Sequence, residues 1–92
     1  MRLPLTCVPQ PAAGFRLESL GSELLLYHPA QEKIYYCNPT ASLIWQLCDG
    51  QRSLGTILDL LQEAYPAAGT ALVDDVCNIL EQLRAHGALA WQ

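Results

Sequence analysis

The stretch from residue 35 to residue 50 constrains this chain more than any other. It reads, in order, as a strand end, a helix start, a short apolar helix and a turn, so it sets the register of everything around it. Its pivot is Asn38-Pro39. Asparagine is a good N-cap because its side-chain oxygen can accept from an unpaired helix N–H. Proline suits the first helical position, where the N–H it lacks would have no partner anyway. The helix that follows, over about residues 39–48, places Ala41, Ile44, Trp45 and Cys48 at helical spacing. Asp49-Gly50 ends it, with glycine free to take a positive φ.

Upstream of this pivot the pattern has a period of two. Phe15 and Leu17 alternate with Arg16 and Glu18, and Gly21-Ser22 reads as a hairpin turn. Residues 23–28 form a second strand, with Leu24 and Leu26 on one face and Leu25 and Tyr27 on the other. Apolar residues on both faces suggest cover on more than one side. After the polar turn at residues 29–32, residues 33–37 form a third strand. Downstream the period is helical. Ser53 caps a second helix over about residues 54–65, striped by Leu54, Ile57, Leu58, Leu61 and Tyr65. A third helix spans about residues 70–86 and stops at Gly87, followed by a short apolar tail. Three strands then three helices make an α+β domain. The expected fold is a small winged-helix-like domain, with a three-stranded antiparallel meander followed by three helices.

Ninety-two residues suffice for one small domain and one core. Pro4, Pro9 and Pro11 break any period near the start, so residues 1–13 are expected to be a flexible N-terminal arm, and residues 14–92 the folded domain. Charged residues make up only 15% of the chain, against a typical ~25%. A domain so poor in charge is expected to show apolar surface to a partner. The net charge is −4, and the basic residues Arg2, Arg16, Lys33, Arg52 and Arg84 are scattered. Nucleic acid and anionic membranes both need a basic face, so neither is an expected partner. No apolar run approaches a membrane span, and no signal-peptide core is present. The expected location is the cytoplasm.

No catalytic set can be assembled. His28 and His86 read as surface or cap residues, and Asp74 and Asp75 as first-turn acids facing the helix dipole. Cys7, Cys37, Cys48 and Cys77 are widely spaced and lack a C-x-x-C pair, so they read as buried small hydrophobes rather than metal ligands or a disulfide framework. No cofactor and no metal are expected, and the chain reads as not an enzyme by itself.

Two features point to binding instead. In a three-stranded meander the third strand is an edge, with open N–H and C=O groups able to accept another strand. Beyond Lys33, nothing in Ile34, Tyr35, Tyr36 and Cys37 guards that edge. The tyrosines are either ordinary strand aromatics or flat contact surface for a peptide. The third helix carries one stripe of Leu72, Val76, Ile79 and Leu83. A second, one residue on, is formed by Val73, Cys77, Leu80 and Arg84. The second stripe either is buried under the tail, Leu89 and Trp91, or lines a groove.

The ordered set from Leu24-Leu25-Leu26 to Asn38, then Ala41, Leu47-Cys48-Asp49-Gly50, Ile57, Asp75-Val76, Leu80, Leu83 and Gly87, resembles the PqqD-like family. The likeness covers about residues 15–89. Cys37 departs from it, since leucine is frequent before the asparagine. The resemblance implies a RiPP recognition element: a peptide chaperone that binds the leader of a ribosomally made precursor and presents it to a modifying enzyme, often a radical-SAM protein. It implies that the leader adds to the third strand and packs on the third helix. The implied peptide-binding residues are Ile34, Tyr35, Tyr36, Cys37, Val73, Cys77, Leu80 and Arg84. Asn38, Asp49-Gly50 and Gly87 are implied to be structural. Two other readings stand beside it: a structural subunit that forms a homodimer through the open edge, and a winged-helix DNA-binding module. Asp74, Asp75 and Glu81, set against Arg84 alone on the third helix, disfavour the latter.

Overall fold

The alternation before Asn38 and the helical spacing after it are both realised. The computed structural model describes residues 3–91. In chain order the elements are β1 (Gln10–Pro11), β2 (Arg16–Leu20), β3 (Glu23–His28), β4 (Lys33–Cys37), α1 (Pro39–Leu47), α2 (Leu54–Ala64), a 3-10 turn (Pro66–Ala68), α3 (Ala71–Ala85) and β5 (Leu89–Ala90). β2, β3 and β4 form an antiparallel meander in that order, which leaves β2 and β4 as its edges. The architecture is α+β, as expected.

Each helix end has a physical cause. The Asn38 side chain accepts from the Ala41 N–H at 2.8 Å, with proline next to it at the start of α1. The Ser53 hydroxyl accepts from the Thr56 N–H at the start of α2. α3 closes at Gly87, whose φ of 77° is a left-handed value that suits glycine. The Gly87 N–H donates to the Arg84 carbonyl and the Ala88 N–H to the Leu83 carbonyl. That pair of bonds is a Schellman closure. Thr70, in front of α3, makes no side-chain cap bond.

The core lies between the inner face of the meander and the helices. Leu24, Leu26 and Cys37 come from the sheet, Ile44 and Cys48 from the α1 region, and Leu54, Ile57 and Leu61 from α2. α3 contributes Leu72, Val76, Cys77, Leu80 and Leu83, so both of its stripes reach the core. The cover expected on both faces of β3 is incomplete. Leu24 and Leu26 are buried, but Leu25 and Tyr27 on the outer face are only half-buried.

The N-terminal segment corrects the expected arm. It is extended, as its prolines dictate, but it is fastened to the body. Leu3, Cys7 and Pro9 are buried. The Leu54 and Gly55 N–H groups, the first two of α2, donate to the Cys7 and Leu5 carbonyls at 2.8 and 3.0 Å. Those N–H groups have no partner within their own helix, so the segment completes the cap that Ser53 begins. Gly50 N–H donates to the Pro9 carbonyl, and β1 pairs antiparallel with β5. From residue 3 onward the expected boundary at residue 13 is therefore not a boundary between units. Met1 and Arg2 of that arm, and Gln92, lie outside the described residues.

Two stability outcomes follow. Asn38→Ala removes one cap bond and should lower the unfolding free energy by about 1 kcal/mol in urea titration. Deleting residues 1–8 strips two buried side chains and two α2 cap acceptors, and should cost at least about 3 kcal/mol. An unchanged urea midpoint after that deletion would show that the segment is not fastened in solution.

Candidate functional site

β4 has β3 on one side and no strand on the other. In an antiparallel sheet alternate residues of an edge strand aim their N–H and C=O groups outward, where another chain can meet them. The far end of β4 is held firmly. The buried Ser42 hydroxyl donates to the Cys37 carbonyl at 3.0 Å, and Asn38 then turns the chain into α1. Along the strand Ile34 and Tyr36 face outward and are exposed, while Tyr35 and Cys37 face inward.

Tyr35 links β4 to α3. Its hydroxyl donates to Gln82 Oε1 at 3.1 Å, and its ring meets His86 at 4.8 Å between centroids in an edge-on contact. Burial, and after it the neighbouring Cys37 thiol, raises the Tyr35 phenol above its ordinary value, so the hydroxyl remains a donor. The side of α3 that borders β4 therefore carries Gln82 and His86. Ile79, half-buried, precedes them by helical spacing.

The structure brings half of the expected site residues together. Ile34, Tyr35, Tyr36 and Cys37 lie together on β4. The stripe of Val73, Cys77, Leu80 and Arg84 does not border it. Residues on a helix advance by about 100° each, which sets that stripe roughly 150° around α3 from Ile79, Gln82 and His86. Its members have other neighbours. Cys77 and Leu80 are buried, and Cys7 of the N-terminal segment is within electrostatic reach of Cys77. Arg84 lies over the Trp91 ring, 4.7 Å from its centroid. Val73 lines an open cavity of about 380 Å³ with Gln62, Tyr65, Pro66, Gly69 and Thr70. The middle of that stripe, Cys77 and Leu80, is buried, while Val73 and Arg84 stay at the surface. Gln82 and His86, which the structure sets beside β4, are polar, so apolar periodicity does not select them. Helical spacing from Ile79 was the available signal.

The remaining chemistry-bearing groups are accounted for locally. His28 packs edge-on against Phe15, and its Nδ1 accepts from the Gln31 N–H. Asp49 Oδ1 accepts from the Gln51 and Arg52 N–H groups, and Oδ2 pairs with the Arg52 guanidinium at 2.9 Å. Those contacts, the Gln51 N–H foremost, hold its carboxyl below the usual carboxylate range. Among the described residues no group of three His, Cys, Asp or Glu is placed to hold a metal ion, and no helix is long and apolar enough to cross a membrane. A second open cavity, of about 560 Å³, lies away from β4 between the N-terminal segment, Gly50 and Trp91.

The family model described as Coenzyme PQQ synthesis protein D (PqqD) matches residues 23–89. The chain belongs to the PqqD family. Among the relatives of this PqqD-family chain, the PqqA binding protein of Rahnella aquatilis is 32% identical over 81 residues, covering 85% of this chain and 81% of that protein. The PqqA binding protein of Pseudomonas entomophila is 35% identical over 82 residues, covering 86% of each. Among solved structures, TbiB1 in complex with the TbiA(beta) leader peptide superposes with a TM-score of 0.77 at 18% identity, over 87% of this chain and 93% of that one. At that identity the match establishes a shared fold.

All four cysteines of this PqqD-family domain are buried and unpaired. Burial pushes the Cys37 thiol up to about 11. Burial, then the Asp49 carboxylate and the Cys7 thiol, pushes Cys48 up to about 12. At about pH 8 both should resist thiol reagents until the chain unfolds, since only the thiolate reacts. These thiols keep their protons in the folded state while the unfolded ones lose theirs near 9. Stability should therefore be full below about pH 9 and fall as pH rises from there toward 11–12. Labelling rates with and without urea, and urea midpoints across that range, provide the check; rapid labelling of Cys48 in the folded protein would contradict it.

Proposed function

We propose that this protein binds the leader segment of a ribosomally synthesised precursor peptide by strand addition to β4, and presents that precursor to a modifying enzyme such as a radical-SAM protein. The observation that carries this reading is the open β4 edge standing beside α3, with Tyr35 bridging the two. The names of the relatives, PqqA binding proteins, and the leader peptide bound to TbiB1 support it.

The mechanism is one of recognition. A leader laid along β4 pairs its main chain with outward N–H and C=O groups, which sets register without demanding particular side chains. Its alternate side chains then point to the two faces of the extended sheet. One set continues the exposed row of Ile34 and Tyr36. The other enters the gap bounded by Tyr35, Ile79, Gln82 and His86. Selectivity comes from what that gap accepts: an apolar wall at Ile79, a ring at Tyr35, and polar groups at Gln82 and His86. The edge is already held by Ser42 and the Asn38 cap, so little ordering cost falls on the domain when the peptide arrives.

Titrating isotope-labelled protein with a synthetic leader from the precursor gene beside its own should shift the amides of residues 34–37 and of Ile79, Gln82 and His86. Shifts confined to other parts of the chain would disprove the site. Tyr35→Ala should weaken leader binding by about tenfold or more, and Arg84→Ala by no more than about twofold, as read by calorimetry. The reverse order would return the site to the other flank of α3.

A further inference from the structure

The outer face of the meander is apolar and open. Ile34, Tyr36 and Leu20 are 69%, 53% and 49% exposed, and Leu25 and Tyr27 between them are half-buried. The helices pack against the opposite face, where Leu24, Leu26 and Cys37 are buried. Adjacent apolar residues on one flat surface, in a chain this poor in charge, mark a contact surface.

The register of the sheet says what kind. Of the outward rungs, Leu20 with Glu23 spans only β2 and β3; the two that span all three strands are neighbours. One is Arg16, Tyr27 and Ile34; the other is Glu18, Leu25 and Tyr36. The rungs match in shape and oppose in charge. Among the described residues neither Arg16 nor Glu18 has an ion-pair partner of its own. The Tyr36 hydroxyl is satisfied within its own copy by Glu23.

We propose that this face joins two copies of the chain, packed sheet to sheet about a two-fold axis. The axis lies across the strands, midway between the rungs. A two-fold contact makes every pairing reciprocal. Rotation about that axis exchanges the rungs, so Arg16 of each copy meets Glu18 of the other. Tyr27 then meets Leu25, and Ile34 meets Tyr36. Charges of opposite sign flank an apolar centre on both sides. Two aligned sheets pack at about 10 Å with a modest angle between their strands, which this face accommodates. Three short strands offer less than the roughly 800 Å² per partner of a standard interface, so the dimer is weak and reversible, with a Kd of about tens of micromolar. The β4 edge lies outside this contact. The dimer thus differs from one formed edge to edge, and it keeps both edges open. It does not depend on the leader reading.

Sedimentation velocity on the full chain, from about 5 to about 500 μM, tests it. The wild-type chain should pass from monomer to dimer across this range. Arg16→Glu leaves two acids at these positions and Glu18→Arg leaves two bases, so each variant alone should dimerise at least tenfold more weakly. An equimolar mixture of the two variants should recover dimer formation, because both contacts between position 16 of one copy and position 18 of the other become opposite in sign. Both positions are exposed, and circular dichroism confirms that the variants fold. The proposal is overturned if the wild-type chain stays monomeric throughout, if either variant dimerises as well as wild type, or if the mixture shows no recovery.

Discussion

The structure depends on how much of α3 has to be buried. Leu72, Val76, Cys77, Leu80 and Leu83 span well over a third of the helix circumference. A helix at the surface of a small domain usually buries a narrower stripe. No single neighbour can cover so wide a face. α1 and α2 take the middle of it, while the N-terminal segment and β5 lie toward the flank that carries Cys77 and Arg84. On the opposite flank Gln82 and His86 meet Tyr35 of β4. The open edge beside α3 is thus the remainder of a packing problem. It lies where the core did not need to close.

The fastened N-terminal segment makes this division possible. Its carbonyls occupy the first two N–H groups of α2, and its buried Leu3, Cys7 and Pro9 close the side of the core away from the sheet. Had that side stayed open, the stripe of Val73, Cys77, Leu80 and Arg84 would have been the natural groove. The same residues would then compete with the β4 flank for an apolar ligand. Covering one flank removes this ambiguity and gives the domain a single edge beside a single helix face.

Much of this was legible in the chain. β3 and β4 follow from alternation, the caps at Asn38 and Ser53 are written in side chains that perform those roles in the structure, and Gly87 closes α3 through its left-handed backbone. The edge character of β4 follows from the order of the strands. Two things were hidden for a common reason. Prolines near the start indicate an extended backbone but not what it lies against, and its fastening is made by main-chain carbonyls that leave no mark in the sequence. Likewise, the stripes on α3 show which residues are apolar but not which neighbour covers each. Once the segment and β5 claim one stripe, the residues bordering β4 are polar ones that no hydrophobic period selects.

The sheet itself then has three distinct surfaces, and their chemistry differs. The inner face gives Leu24, Leu26 and Cys37 to the core. The edge of β4 offers main-chain groups, which are indifferent to side-chain identity and suit a ligand whose sequence varies. The outer face offers Arg16 and Glu18 beside an exposed apolar patch, which suits a partner of fixed shape. These surfaces share residues without sharing contacts: Tyr35 and Tyr36 are neighbours in sequence, yet the pleat sends one to α3 and the other to the outer face. A two-residue offset in the strand would change neither assignment, whereas a slip of one residue would exchange them and put Ile34 and Tyr36 into the core. The cap at Asn38 and the Ser42 bond to the Cys37 carbonyl resist that slip. The junction between strand and helix therefore fixes, through register, which residues β4 presents on each face.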